Sequence, residues 1–407
     1  MNIAVVAPQS SHWEDLHRAA LVLVKALKRL GRKTWLVTSV YHEGRPVVDP
    51  QIVEKSENGY VEIEADVAGV PTIRVLSMKS LTPPGGVVLR SFGKILSTLQ
   101  ERYSLDVVVV IASFWNGPEE VARWVSIRRS LVELGEAPRR PFFVFIPAYF
   151  VRFTALRPID AAAKLMWSML NMPYILRQAD LVLVCCQAEA EELKQYGISP
   201  GKVVESKSWV DPDFIDVEDV KRPKAAEDFD LYVSYVGPLD EERNVQALIK
   251  VAERLSRLGN VALVAAGGGD ALEKVKKEAK RRKNLVVVES PDLKTVASVI
   301  KHSFVGVDFS RYEPMGIRAL DYLYMGVPYA TSPASRGAWY ISNGVDGIQL
   351  SNPDDVEGFV NWVSTLMKRP ELRDEMATRA RRRAEGLTAL RLAELLLKAV
   401  EGRAPRP

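Results

Sequence analysis

Histidine and cysteine are scarce in this chain: four of the first and two of the second among 407 residues. The two cysteines are adjacent, Cys185-Cys186, at the end of the apolar run Leu181-Val182-Leu183-Val184. There they read as small apolar groups on a buried strand, ahead of a redox pair or a metal site. No apolar run reaches the ~20 residues that a helical membrane span needs. No secretory leader is visible, because Met1-Asn2 leads straight into a strand pattern, so a cytoplasmic chain is expected. Charge of one sign is also missing in any excess. The net charge of +4 is small for this length, so nothing requires a nucleic-acid partner. The arginine pairs Arg128-Arg129, Arg139-Arg140 and Arg281-Arg282 read as solvated faces. No fixed-period repeat is present. Scarce glutamine, asparagine, histidine and cysteine beside abundant arginine and glutamate hint at a thermophilic source.

What is there is ordinary for a globular protein: 47% apolar and 26% charged residues. The length suggests two domains of roughly 150–200 residues each. Both halves alternate strand and helix patterns. In the first, Ile3–Ala7, Val107–Ile111 and Phe142–Ile146 are unbroken apolar runs, as strands covered on both faces require. Periodic stretches at Trp13–Leu30, Phe92–Tyr103, Glu119–Leu134 and Ile159–Leu176 predict helices. Asp211 to Asp230 is charged, proline-rich and without apolar period, and reads as a linker. Strands are then predicted at Leu231–Val236, Val261–Ala266, Leu285–Val288, Phe304–Phe309 and Val327–Thr331, with helices between them. Such alternation predicts two open parallel sheets with helices on both faces, and ligands beyond the carboxyl ends of the strands.

The richest stretch is Ser310-Arg311-Tyr312-Glu313-Pro314-Met315-Gly316-Ile317-Arg318-Ala319-Leu320-Asp321. Pro314 suits a first helical position. Open amides near Gly316 and Ile317, with the positive end of the helix dipole, would form an anion site. Asp321 lies one turn beyond Ile317 on the same face. An acid on each side of a phosphate cradle suits a nucleotide-sugar. Ordinary helix capping fits these twelve residues as well. Two neighbours carry the same pair of readings. Arg243, in Gly237-Pro238-Leu239-Asp240-Glu241-Glu242-Arg243-Asn244, is either a phosphate cation or a surface partner of Glu241 or Glu242. Gly267-Gly268-Gly269 lacks the spacing of a phosphate loop and fits a tight turn.

Taken in order, these segments resemble the donor domain of a GT-B glycosyltransferase of the retaining family 4 type. The matching residues are Tyr235-Val236-Gly237-x-Leu239 with Glu242-Arg243-Asn244, Leu263–Asp270, Leu293–Lys301 and Glu313-Pro314-Met315-Gly316 with Asp321. Met325-Gly326-Val327-Pro328 and Asn343-Gly344-x-Asp346-Gly347 close the series. About 200 residues take part. The first half is similar only in layout, through Met1–Val40 and Ala179–Phe214. The resemblance implies an α/β architecture of two facing Rossmann-like, doubly wound parallel-sheet domains (GT-B) with a cleft between them. An acceptor-side domain would span 1–212 and a donor domain 213–387, with a helix in 388–407 packing back on the first.

The resemblance also implies residue roles. Glu313 and Arg243 would be catalytic, with Glu313 on the transferred sugar and Arg243 on the phosphates. Gly237, Met315, Gly316 and Ile317 would line the donor, and Asp321 would hold the ribose. No metal or cofactor is implied beyond the nucleoside-diphosphate sugar itself. Pro238 stands where the family has arginine, and Pro147-Ala148-Tyr149 where it often has histidine. Ser10-Ser11-His12-Trp13 replaces a glycine pair, leaving Ser11 and His12 as candidates for acceptor or phosphate contact, with a plain loop histidine as the other reading. These departures keep two alternatives in view: a non-catalytic scaffold of the same fold, and a nucleotide-sugar epimerase. The acceptor, saccharide or lipid-linked, stays unnamed. Aromatic residues crowded between Phe142 and Trp167, with Arg152, Arg157 and Lys164 among them, would be core, dimer contact or a peripheral face toward the inner side of a membrane. Asp211-Pro212-Asp213 reads as incidental.

Overall fold

The β-branched runs form the sheets. The computed structural model describes residues 1–11, 15–42, 45–66, 69–79, 87–149, 158–207, 209–210 and 220–403. His12, Phe150, Arg152, Phe153, Arg157 and the Asp211-Pro212-Asp213 triplet lie outside them. The first sheet has eight strands. In spatial order they are Val203–Glu205, Leu181–Val184, Phe142–Ile146, Val107–Ile111, Asn2–Val6, Lys33–Ser39, Thr72–Val75 and Tyr60–Ile63. All neighbours are parallel except the last pair. The second sheet has six parallel strands in the order Leu285–Glu289, Val261–Gly267, Leu231–Val236, Gly306–Asp308, Tyr329–Thr331 and Gly347–Gln349. Strands such as Val107–Ile111 and Val261–Gly267 are buried along their whole length, as strands sandwiched between helix layers must be.

The chain passes between the sheets at two places that hydrogen-bond to each other. The Val210 amide donates to the Leu387 carbonyl at 2.8 Å, and the Ala389 amide to the Val210 carbonyl at 3.1 Å. The last helix, Ala389–Glu401, then packs against the first, Asp15–Arg29. Its Leu392, Leu396 and Val400 join the first domain's core.

Three expectations change. Residues 220–230 are not free linker: Val220 and Ala226 are buried, and Arg222 Nη2 donates to the Phe229 carbonyl at 2.6 Å. The helix after the Glu313 motif starts later than predicted, at Ile317, with Gly316 as its cap and Pro314 outside it. The Pro158–Gln178 helix is apolar on two sides. Ser168, Met172 and Ile175 face inward, while Ile159, Met166, Met169 and Leu170 are exposed.

Candidate active site

Backbone packing sets the loops at the strand ends of the second sheet. Strands Leu231–Val236 and Val261–Gly267 end side by side, and their following turns touch. The Leu239 amide donates to the Gly268 carbonyl at 2.7 Å, and the Ala271 amide to the Leu239 carbonyl at 2.9 Å. A Cβ on Gly267 would overlap the Gly237 carbonyl oxygen, and one on Gly269 would sit 2.7 Å from the Leu239 carbonyl oxygen. The glycine run is therefore there for close packing of two turns, the tight-turn reading of the sequence. Gly316 answers a different demand. Its φ is 69°, and a Cβ there would lie 2.8 Å from the Tyr340 ring and 2.9 Å from the Gly337 amide nitrogen.

These turns enclose a hollow at the carboxyl ends of the second sheet, lined by Gly237, Pro238, Arg243, Asp308, Ser310, Glu313, Gly316, Arg318 and Ser335. Arg243 is buried, and its guanidinium donates to the Tyr312 carbonyl. Burial alone would lower its pKa; the charges of Glu313, Tyr235, Asp240 and Asp308 outweigh that and hold it above the usual arginine value. It is a fixed cation facing the hollow. Asp308, also buried, accepts from the amide of Ser310 at 2.9 Å and from its hydroxyl.

Glu313 is placed where expected but is occupied differently. Its two carboxylate oxygens accept from the amides of Met315 and Gly316, each at 2.7 Å, and from the Ser335 hydroxyl at 3.2 Å. The Gly316 amide, expected to face a phosphate, donates to the loop's own acid, as the capping reading has it. A phosphate reaching that amide must displace the carboxylate. Met315 and Ile317 are buried, and both belong to the apolar cluster of the first domain. Their side chains thus serve the domain contact, although they flank the hollow.

Asp321 departs furthest from expectation. It is fully buried, 2.5 Å from Arg18 of the first domain and 3.1 Å from Arg318. Both guanidiniums meet the same oxygen, Oδ2, so Asp321 sits in an ion triad that joins the domains. Of the acceptor-side candidates, Ser11 is buried, and its neighbour Ser10 bonds His42 Nδ1 at 2.8 Å.

The sequence reading missed three side chains. Arg318 lines the hollow while its guanidinium pairs with Asp321. Its place two residues past Gly316 was the signal available. Lys164, expected only as part of an aromatic and basic stretch, is buried with its ammonium 3.5 Å from the Tyr312 ring centre and 3.4 Å from Glu242. Burial lowers its pKa. Arg336 is fully buried and reaches the first domain, where Nη2 donates to the Tyr149 carbonyl at 2.8 Å. No local pattern marked it.

Residues 216–383 match the family described as Glycosyl transferases group 1. An uncharacterized glycosyltransferase of Methanocaldococcus jannaschii is 27% identical over 172 residues, which cover 41% of this chain and 43% of that protein. The match thus spans less than half the length of that relative. Among solved structures, a sucrose-phosphate synthase from Thermosynechococcus elongatus superposes with a TM-score of 0.69 at 15% identity, covering 99% of this chain and 98% of the other. Anabaena HepE in complex with UDP-glucose gives 0.68 at 12% identity, covering 99% and 100%. At such identities the structures speak for the fold. The second domain thus matches the Glycosyl transferases group 1 family model, and the chain as a whole has the GT-B fold.

Proposed function

We propose that this protein transfers a sugar from a nucleoside-diphosphate sugar to an acceptor hydroxyl, with retention at the anomeric carbon. The observation that carries this reading is one hollow at the strand ends, lined by Arg243, Arg318 and Glu313, with Arg243 a buried cation among carboxylates. A guanidinium binds phosphate by directed, charge-assisted hydrogen bonds. In the reaction the bond between the anomeric carbon and the diphosphate oxygen breaks. The acceptor oxygen bonds to the same face of that carbon, and its proton passes to the departing diphosphate. Arg243 would meet the charge that develops on that leaving group. Glu313 would turn from its own amides to the sugar hydroxyls as phosphate takes the Gly316 amide.

A panel of nucleotide-sugars with simple glycoside and lipid-linked acceptors tests the reading, the product anomer being identified by NMR. Transfer with retention supports it; inversion, or no product from any pair, overturns it. A second reading, a nucleotide-binding subunit without activity, is favoured by Pro238 and by the self-capped Glu313. That subunit would bind a nucleoside diphosphate yet turn over no donor. Release of free epimerised sugar-nucleotide without acceptor would point instead to an epimerase. No described helix is long and apolar enough to cross a membrane. The exposed Ile159, Met166, Met169 and Leu170 stripe supports an acceptor presented on an apolar carrier.

A further inference from the structure

The turn at Ser335–Gly337 touches both domains at once. On the donor side it holds Glu313 by two bonds. The Arg336 amide donates to the Glu313 carbonyl at 2.8 Å, and the Ser335 hydroxyl to its carboxylate at 3.2 Å. The Gly337 amide returns to the Ser335 hydroxyl at 3.1 Å and fixes that rotamer. From the same turn the Arg336 side chain crosses into the first domain. Nη2 donates to the Tyr149 carbonyl at 2.8 Å, Nη1 lies 3.3 Å from Cys186 Sγ, and Glu192 is 4.0 Å away.

The receiving surface is built to hold a cation. The buried Glu189 accepts from the amides of Tyr149 and Cys185 at 2.6 and 2.7 Å, so it fixes the two segments that Arg336 meets. Its carboxylate, with that of Glu192, offsets the burial of the guanidinium. A side chain with no solvent exposure, bonded across the cleft, is in place only when the domains are closed.

We infer that Arg336 is a positioning residue: closure of the first domain onto its guanidinium sets the Ser335–Gly337 turn and, through Ser335, the carboxylate of Glu313. The domain latch stands on geometry alone, whereas its effect on turnover rests on the proposed transferase reading.

The two cysteines of the chain, Cys185 and Cys186, both lie at this contact, so any thiol reagent reports on it. The experiment measures iodoacetamide alkylation rate and the radius of gyration by small-angle scattering, with and without uridine diphosphate. It uses the full chain and the variants Arg336→Met, Arg336→Lys and Ser335→Ala. Arg336→Met is expected to enlarge the radius of gyration and to raise the alkylation rate per thiolate ~10-fold, the thiolate fraction being taken from the pH profile of alkylation, because reactivity follows exposure as well as thiolate content. Its kcat should fall ~10- to 100-fold while the donor KM changes less than ~3-fold, the signature of a group that orients rather than binds. Arg336→Lys should recover part of both effects. Ser335→Ala should lower kcat without speeding alkylation, since it cuts only the Glu313 arm. Unchanged alkylation and radius in Arg336→Met overturn the latch, and faster alkylation with unaltered kcat overturns the coupling. If the wild type transfers no sugar, alkylation and scattering still decide the latch, so the two readings fail separately.

Discussion

On the second domain's side of the cleft, position is set by main chain. Gly237, Gly267 and Gly269 let two turns pack carbonyl against α-carbon, and Gly316 turns the chain into its helix at φ 69°. On the facing side, position is set by side chains: Ser10 on His42, Tyr149 hydroxyl between Ser168 and Tyr196, and Glu189 under two amides. A wall made of backbone can hold the same ligand in many sequences, provided its glycines stay. A wall made of side chains can be rebuilt for a new acceptor without disturbing the sheet beneath. The family match follows this division, covering 216–383 and leaving the first domain outside.

Breaking the seam between the walls should have the largest effect on stability. Asp321→Asn leaves Arg18 and Arg318 buried beside a neutral amide, and should cost about 3–5 kcal/mol, read as a fall in the denaturation midpoint. A loss of less than about 1 kcal/mol would mean the triad is not a domain tie. Gly316→Ala attacks the backbone wall directly. The left-handed φ and the contact with Tyr340 predict a loss of roughly 1–3 kcal/mol. Glu313→Gln sharpens the comparison, because it separates capping from chemistry. One carboxamide oxygen can still accept from an amide, but the other amide then faces an NH2 donor, so stability should fall by about 1–3 kcal/mol. Transfer should drop at least ~100-fold, because the charged group proposed to face the sugar is gone. The smallest effect belongs to the outer face of the first domain. Met166→Glu with Met169→Glu should change stability by no more than about 0.5 kcal/mol, as exposed sites do. The pair should abolish co-sedimentation with anionic lipid vesicles; retained sedimentation would remove the apolar-carrier reading of the acceptor.

The two walls were unequally legible in the sequence. Strands with unbroken apolar runs, such as Val107–Ile111 and Leu231–Val236, were readable because burial on both faces leaves one composition. Gly237, Arg243, Glu313 and Gly316 could be placed around one hollow because strand ends and helix starts fix where they point. Asp321 could not be read correctly. Helical spacing places it on a face, but its partner Arg18 lies 303 residues away in sequence. Arg336 was hidden for the same reason, since its contacts at Tyr149 and Cys186 exist only after both domains fold and meet. Local pattern also put the helix start at Pro314 rather than Ile317, because it could not see Glu313 folding back onto the amides of the turn. Short strands such as Ser77–Lys79, Val87–Leu89 and Val203–Glu205 carry too few residues to show a period.

Calorimetric titration with a panel of nucleoside diphosphates tests the central claim, that Arg243 makes the hollow beside Glu313 a diphosphate site. At least one nucleotide should bind the wild type. Arg243→Met, checked for an intact melting transition, should bind it about 10- to 100-fold more weakly, the loss expected when a charge-assisted hydrogen bond to phosphate is removed. Equal affinity in wild type and variant, or no binding by any nucleotide, would contradict the account.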